Sequence, residues 1–402
     1  MAKPLVLMGF AEALSAPEVA WSLADRGYRV LAFGRRGRTA AVRHSRNVEF
    51  YEITPPEVNL AAAAEDLLRL MESLAGENAG KTLFPLDDAS VLLCGMVAKS
   101  STGWCLAGPV GPCEQLALNK EMQTTFAREA GFQVPTTWLV RSTEEALQLV
   151  EREPLPMILR PVECVPTQQG RIQKGRNWIC ATRAEFESAV KAWGGSMALL
   201  VQPYITGTGE GVFGLATDQG VQAWSAHRRL RMMNPHGSGS SACISQAVDA
   251  ATRTHVEALI QKSGWRGLFM VELLRDDAGK VWFVEMNGRP WGSMALARRQ
   301  GLEYPAWQVG LARGEKIDVH APLVRAGVVC RHMGRELVHL LFVLRGPKSQ
   351  AVKGWPSIGS TLRQVFGIRR GDGIYNWRRH DLKVFFADFY NTVHDNLFKA
   401  RG

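Results

Sequence analysis

Apolar positions in the first hundred residues follow two rhythms. Short apolar runs, "PLVLMGF", "YRVLAFG" and "KTLFPLD", read as buried strands. The segments between them, "APEVAWSLADRG" and "NLAAAAEDLLRLMESLAG", carry helical spacing, and Gly27 stands where it caps the first. Strands alternating with helices predict a parallel, doubly wound sheet over residues 1–112. The turn after the first strand reads "GFAEALS" and lacks the G-x-G-x-x-G spacing that lets backbone approach a pyrophosphate. The second strand ends in Gly34-Arg35-Arg36, with no acidic residue for a ribose hydroxyl. A Rossmann-like domain without its dinucleotide is expected, with NADP on the two arginines as the weaker alternative.

From residue 113 the texture changes. "ALNKEMQTTFAREAGFQVPTTWLV" predicts a helix, a glycine break and a strand. "PLPMILRPVE" is a further strand, and "QQGRIQKGRN" a polar loop. In "TRAEFESAVKAW" Thr182 and Glu185 have capping-box spacing at a helix start. A strand "ALLVQPYI", a glycine-punctuated "TGTGEGVFGLAT" and a basic stretch "AWSAHRRLRMMNPHGSGSSA" follow. Next come a helix near 246–263 and two apolar runs joined by Asp276-Asp277-Ala278-Gly279, a hairpin composition. The expected divisions are 1–112, 113–195, 196–320 and a basic C-terminal extension, 321–402. The class expected is α/β joined to α+β, with a helical tail.

The hairpin ends in "VWFVEMNGRPWGS", where Glu285, Asn287 and Arg289 share one parity and so one strand face. Burying three such groups is costly unless they hold something. An even-length turn puts Glu272 on the face of Phe283, Glu285 and Asn287. Two carboxylates and an amide oxygen are hard donors that suit magnesium, and Arg289 is placed for a phosphate or carboxylate. A strand with its polar residues in solvent fits the alternation equally well.

Composition alters this picture little. At 402 residues, with 46% apolar and 21% charged positions, the chain suits two or three globular domains. The net charge of +10 gathers largely after residue 325, which reads as a solvated face rather than a nucleic-acid groove. No apolar run approaches the roughly 18 residues that cross a bilayer. The seven cysteines form no CxxC pair, so reduced thiols in a cytoplasmic protein are expected.

The order of these motifs resembles the ATP-grasp superfamily over roughly residues 1–315, and "EMNGRPWGS" followed by "MALARRQGLEYP" is the most specific match. This family includes carboxylate–amine ligases and carboxylases related to biotin carboxylase and the carbamoyl-phosphate synthase large chain. The resemblance implies a Rossmann-like pre-ATP-grasp domain before a two-subdomain ATP-grasp fold. It makes Glu272, Glu285 and Asn287 the magnesium ligands and Arg289 a substrate or phosphate arginine. Lys120, in "LNKEMQ", would meet the nucleotide phosphates. Arg160 stands where the family has a second phosphate lysine, and an arginine there differs in shape. Gln202, Tyr204 and Ile205 would meet adenine at the hinge, with Glu210 on the ribose. The family's glycine-rich phosphate loop is reduced to "VECVPTQQGRIQKGRN", where Arg171, Lys174 or Arg176 could supply charge. Among His227, Arg228, Arg229 and Arg231, Arg231 is the expected transition-state arginine; His227 as an acid or base is a less favoured reading.

The expected activity is an ATP-dependent ligation: a carboxylate becomes an acyl phosphate, an amine captures it, and ADP and phosphate leave. ATP and magnesium are the expected cofactors, with manganese an alternative. The expected partners are small carboxylate and amine substrates such as amino acids or their derivatives. A catalytically degenerate nucleotide-binding protein and a carboxylase or thiol ligase are the alternatives. The amphipathic tail pieces "ELVHLLFVL" and "DLKVFFADFYNTVHDNLF" read as core packing or a homodimer contact in preference to a membrane surface.

Overall fold

The computed structural model describes residues 3–76, 80–237, 239–319, 324–347 and 354–397. Apolar runs become β1 (Leu5–Gly9), β2 (Arg29–Arg35), β3 (Val48–Ile53), β4 (Lys81–Pro85) and β5 (Trp104–Leu106). They pair in parallel in the order β3-β2-β1-β4-β5. The helices between them are α1 (Ala16–Asp25), α2 (Leu60–Ser73) and α3 (Asp88–Ala98). Asn59 caps α2, and Asp87 with Ser90 forms a capping box on α3. Strand order reverses at β1, so a crevice opens where the carboxyl ends of β1 and β4 diverge. Arg35, the weaker NADP candidate, is buried there among Glu12, Glu57 and Asp87 and lies over the Phe10 ring.

The next unit starts with α4 (Pro112–Leu118) and α5 (Lys120–Glu129). It continues through β6 (Trp138–Val140), α6 (Thr143–Arg152), β7 (Met157–Pro161), β8 (Thr167–Gln168), β9 (Arg171–Ile172), β10 (Trp178–Cys180), α7 (Arg183–Trp193) and β11 (Leu199–Pro203). Four of these strands form an antiparallel sheet, β10-β7-β11-β6, packed through Leu159, Phe186 and Trp193. The capping box on α7 uses Thr182 and Glu185. The expected polar loop is a small hairpin, β8–β9, with Gln169 (φ 50°) and Gly170 (φ 72°) at its tip. It hooks onto the first unit: Leu60 N–H donates to Gly170 O at 2.8 Å, and Ile172 N–H to Pro56 O at 2.9 Å. Arg171, Lys174 and Arg176 are exposed.

The largest sheet comprises β12 (Thr208–Thr217), β13 (Gly220–Met232), β14 (Ser240–Gln246), β15 (Gly267–Arg275), β16 (Val281–Asn287), β17 (Val329–Arg331) and β18 (Gly373–Ile374). Its order is β16-β15-β12-β13-β14-β17-β18, so the last two strands come from the C-terminal extension. The remaining helices are α8 (Ala250–Ser263), α9 (Met294–Arg298), α10 (Tyr304–Ala312), α11 (Met333–Arg345), α12 (Ile358–Phe366) and α13 (Leu382–Leu397). The division expected at 320 falls outside the described residues. The C-terminal segment reaches back to the first unit, where Asp381, just before α13, accepts at Oδ2 from Nε1 of Trp21 on α1 at 2.8 Å.

The β15–β16 hairpin departs from the expected register and then returns to it. Arg275 pairs with Val281, so five residues rather than an even number make the connection. A bulge then intervenes, and beyond it Glu272 pairs with Glu285. The extra residue in the bulge cancels the odd turn. Phe283 therefore does not share the Glu272 face: it pairs with Leu273 and both enter the core on the far side.

Candidate active site

The face of the large sheet that carries Glu272 and Glu285 is the floor of a cavity of about 310 Å³. The two glutamates are direct cross-strand partners on β15 and β16. Asn287, two residues on, keeps the same face and donates from Nδ2 to Glu285 Oε1 at 3.1 Å. Arg229 on β13 reaches over β12 and bonds Glu272 Oε1 at 2.6 Å. That reach needs glycine beneath it. A Cβ at Gly209 would stand 2.8 Å from Arg229 Cδ, and one at Gly211 only 2.7 Å from Phe213 and 3.0 Å from His227 Nε2. The glycine-punctuated stretch is thus a strand that leaves headroom for its neighbours' side chains.

Two cations approach from the smaller sheet and α5. Arg160 on β7 lies 3.5 Å from Glu285 Oε2 and donates to Val284 O at 3.4 Å. Lys120, the first residue of α5, sits 3.1 Å from Cys164 Sγ. Its helix is locked to β16 by Gln123, whose buried amide donates to Leu116, Ala117 and Met286 carbonyls and accepts from Met286 N–H. Burial raises the Glu285 carboxyl, but Arg160 and then Lys120 outweigh it and leave it below the ordinary carboxylate range. Glu272 ends above that range, because burial exceeds the help from Arg229 and Glu285 adds repulsion.

The rim is built by the other units. Arg289 makes a two-point contact with Asp88 at 2.9 and 3.2 Å, joining the loop after β16 to the start of α3. Trp291 is buried and stacks on Phe213 with ring centroids 4.3 Å apart. His227 is buried, with Nδ1 2.8 Å from Ser293 Oγ and no partner for Nε2 among the described residues. Burial, with Arg229 beside it, pushes its pKa down to about 3, so the ring is neutral. Arg335 of α11 donates to Ser240 O at 3.2 Å and faces both this cavity and a second one of about 510 Å³. The two cavities share Ala13, Leu14 and Arg335, and Glu12, Arg38, Asp388 and Asp395 line the second.

Several expected residues lie elsewhere. Arg231 is not in the cavity. A bulge between Arg229 and Arg231 breaks their common parity, and Arg231 instead bonds the buried Glu336 at 2.6–3.1 Å. Arg228 is exposed. Glu210 faces away from Glu272, because its neighbour Gly211 is the one opposite Glu272, and Arg275 holds it at 2.9 and 3.0 Å. Gln202, Tyr204 and Ile205 stand at the link between the smaller and larger sheets. There the Gln202 amide bonds Thr137 at 2.8 Å, and Tyr204 N–H donates to Pro156 O at 2.9 Å. Sequence reasoning did not single out Gln123, Asp88 or Arg335. Nothing local marks them, since each acts through contacts many residues away.

No protein-family model matches the chain, and no curated protein matches it. Solved structures do. N5-carboxyaminoimidazole synthetase from Staphylococcus aureus, complexed with ADP, aligns at 13% identity and a TM-score of 0.60, covering 79% of each chain. L-amino acid ligase from Bacillus licheniformis aligns at 15% identity and a TM-score of 0.60, covering 82% of this chain and 78% of that one. The biotin carboxylase domain of 2-oxoglutarate carboxylase from Hydrogenobacter thermophilus, a dimer with MgADP and bicarbonate, aligns at 18% and 0.59, covering 82% and 74%. All three are ATP-grasp enzymes. The chain has the ATP-grasp fold. The cavity floor and the two approaching cations lie where the smaller and larger sheets meet.

Two carboxylates and an amide on one face of two adjacent strands form a donor set that fits magnesium, an ion that also keeps water and phosphate oxygens. Among the described residues no cluster of three or more His, Cys, Asp or Glu suits a metal held by protein alone.

Proposed function

We propose that the chain is an ATP-dependent ligase that joins a carboxylate to an amine and releases ADP and phosphate. The observation that carries this reading is the cross-strand pair Glu272 and Glu285, with Asn287 beside them and Lys120 and Arg160 above. Magnesium held by Glu272, Glu285 and Asn287 would neutralise charge on the ATP phosphates. Lys120 and Arg160 would hold those phosphates, and Arg229 and Arg289 would steady the charge that develops as the γ-phosphoryl moves. Their present carboxylate partners, Glu272 and Asp88, keep both guanidiniums aimed at the cavity.

The substrate carboxylate oxygen attacks the γ-phosphorus, the bond to the bridging oxygen breaks, and ADP leaves. The amine nitrogen then attacks the acyl carbon, the acyl–oxygen bond to phosphate breaks, and the amine gives up a proton. Both steps need positioning more than a side-chain nucleophile. The second cavity, lined by Glu12, Asp388 and Asp395 and by Arg38 and Arg335, offers room for a substrate bearing both signs of charge, such as an amino acid.

The test is thermal unfolding with and without Mg·ATP for the natural chain and for Glu285→Gln. Ligand at a hundred times its Kd adds about 2.7 kcal/mol, which is visible as a melting shift. A magnesium-dependent shift in the natural chain that Glu285→Gln abolishes is expected. ADP release that rises on adding an amino acid would then establish turnover, and a shift without any turnover would favour the degenerate reading. No shift in the natural chain would sink both.

A further inference from the structure

We propose that the outer face of the C-terminal helices is a docking surface for an anionic lipid bilayer. Large apolar side chains exposed among the described residues are few along the first three hundred positions and crowd together after Leu344. On α12 they are Ile358, Leu362 and Phe366, and on α13 they are Leu382, Phe386 and Tyr390. Each trio is spaced by four and forms one stripe along its helix. Phe366 is 71% exposed, and Phe386 and Tyr390 are each 64% exposed. These are not helices awaiting a core, because each has a separate inward face. Val365 and Thr361 of α12 and Val384 of α13 are buried, and both helices pack on α11. Ile368 and Trp377, in the connection between them, are exposed as well.

Charge on this segment is largely sorted by side, with Asp395 the acid that stays exposed among the described residues. Asp372, Asp381 and Asp388 all turn inward: Asp372 to Arg331 at 3.0 Å, Asp381 to Trp21 at 2.8 Å, and Asp388 to His332 at 2.9 Å. Arg363, Arg369, Arg370, Arg379 and Lys383 are exposed. Cations beside rows of aliphatic and aromatic side chains match a surface with negative headgroups over an apolar layer. A second copy suits the charge less well. In a two-fold contact both faces would carry the same excess of exposed cations, with Asp395 the exposed acid of the segment among the described residues, so the two faces repel. Among the described residues no helix is long and apolar enough to cross a membrane, so the contact lies in the interface plane. This reverses the expectation from the sequence, where the same spacing reads as core or dimer contact. Periodicity shows that a face is apolar, not what covers it.

The experiment is co-sedimentation of the full chain with vesicles of phosphatidylcholine alone or mixed with phosphatidylglycerol. Binding is expected to the mixed vesicles only and to weaken as salt rises. Replacing Phe366 and Phe386 together by Ser should cut it about tenfold or more, and replacing Arg369 and Arg370 by Gln should cut it by a similar order. Both variants should keep the melting temperature and the Mg·ATP shift, since these residues lie outside the cavity and the core. A folded chain that ignores phosphatidylglycerol vesicles overturns the proposal. So does sedimentation velocity showing a dimer that the double Ser variant dissociates, which would give the patch to a second copy. Binding to polyglutamate that depends on Phe366 and Phe386, without vesicle binding, would give it to an acidic protein.

Discussion

At the scale of residues, the site depends on what is missing as much as on what is present. Gly209 and Gly211 leave the space through which Arg229 meets Glu272 and His227 packs on Phe213. Gly211→Ala should cost about 1–3 kcal/mol by overpacking, read from urea unfolding. Gly209→Ala pushes on the flexible Arg229 instead, so it should cost less stability and weaken the Mg·ATP shift more. Arg231 gives the opposite contrast. Among the described residues, Arg231→Met leaves the buried Glu336 with only the more distant Arg331 as an ion-pair partner, at 3.9 Å. A loss of about 3–5 kcal/mol is expected. ADP release per folded molecule should be unchanged. A drop in turnover at full stability would return Arg231 to the phosphates.

At the scale of elements, side-chain caps and clamps decide where the chain turns. Asp66 on α2 accepts from the Thr54 hydroxyl and N–H at 2.7 and 2.8 Å and pairs with Arg69, fixing the helix to the end of β3. Burial opposes its charge, but these partners outweigh it and hold its pKa at about 2, below the ordinary 3.8. A lowered carboxylate contributes stability above pH 3.8 that is lost as pH falls toward 2. Asp66→Asn should therefore be less stable than the natural chain at neutral pH, by about 1.5 kcal/mol for the lost charged hydrogen bonds. The gap should close as pH falls toward 2, in a pH series of denaturation midpoints. The hairpin carrying Glu272 and Glu285 illustrates a limit at this scale: an odd turn and a bulge each shift register by one, and only their sum is right.

At the scale of the whole molecule, the C-terminal extension is part of the fold that makes the site. It adds β17 beside β14, covers Trp21 through Asp381, and brings Arg335 to the junction of the two cavities. A chain ending at residue 319 would expose the β14 edge and bare Trp21, Cys243 and Leu296. It should aggregate or unfold at temperatures the full chain withstands, as light scattering during a melt would record. A well-folded short chain that still binds Mg·ATP would show the extension to be dispensable.

The sequence by itself determined the alternating strands and helices of the first unit and the capping box on α7, and it put Glu272 on the same face as Glu285, though through an even turn that the structure replaces with an odd turn and a bulge. These follow from periodicity and from side chains acting within a few residues, which a linear pattern records. It also carried the resemblance whose fold the structure has. Tertiary structure alone decided that Glu210 turns away from the cavity, that Arg231 belongs to Glu336, and that Arg335 belongs to the site. Glu210 and Arg231 had plausible local signatures, and Arg335 had none. Strand facing past a bulge, and partners more than a hundred residues apart, depend on how sheets register and pack, and no local window contains that information.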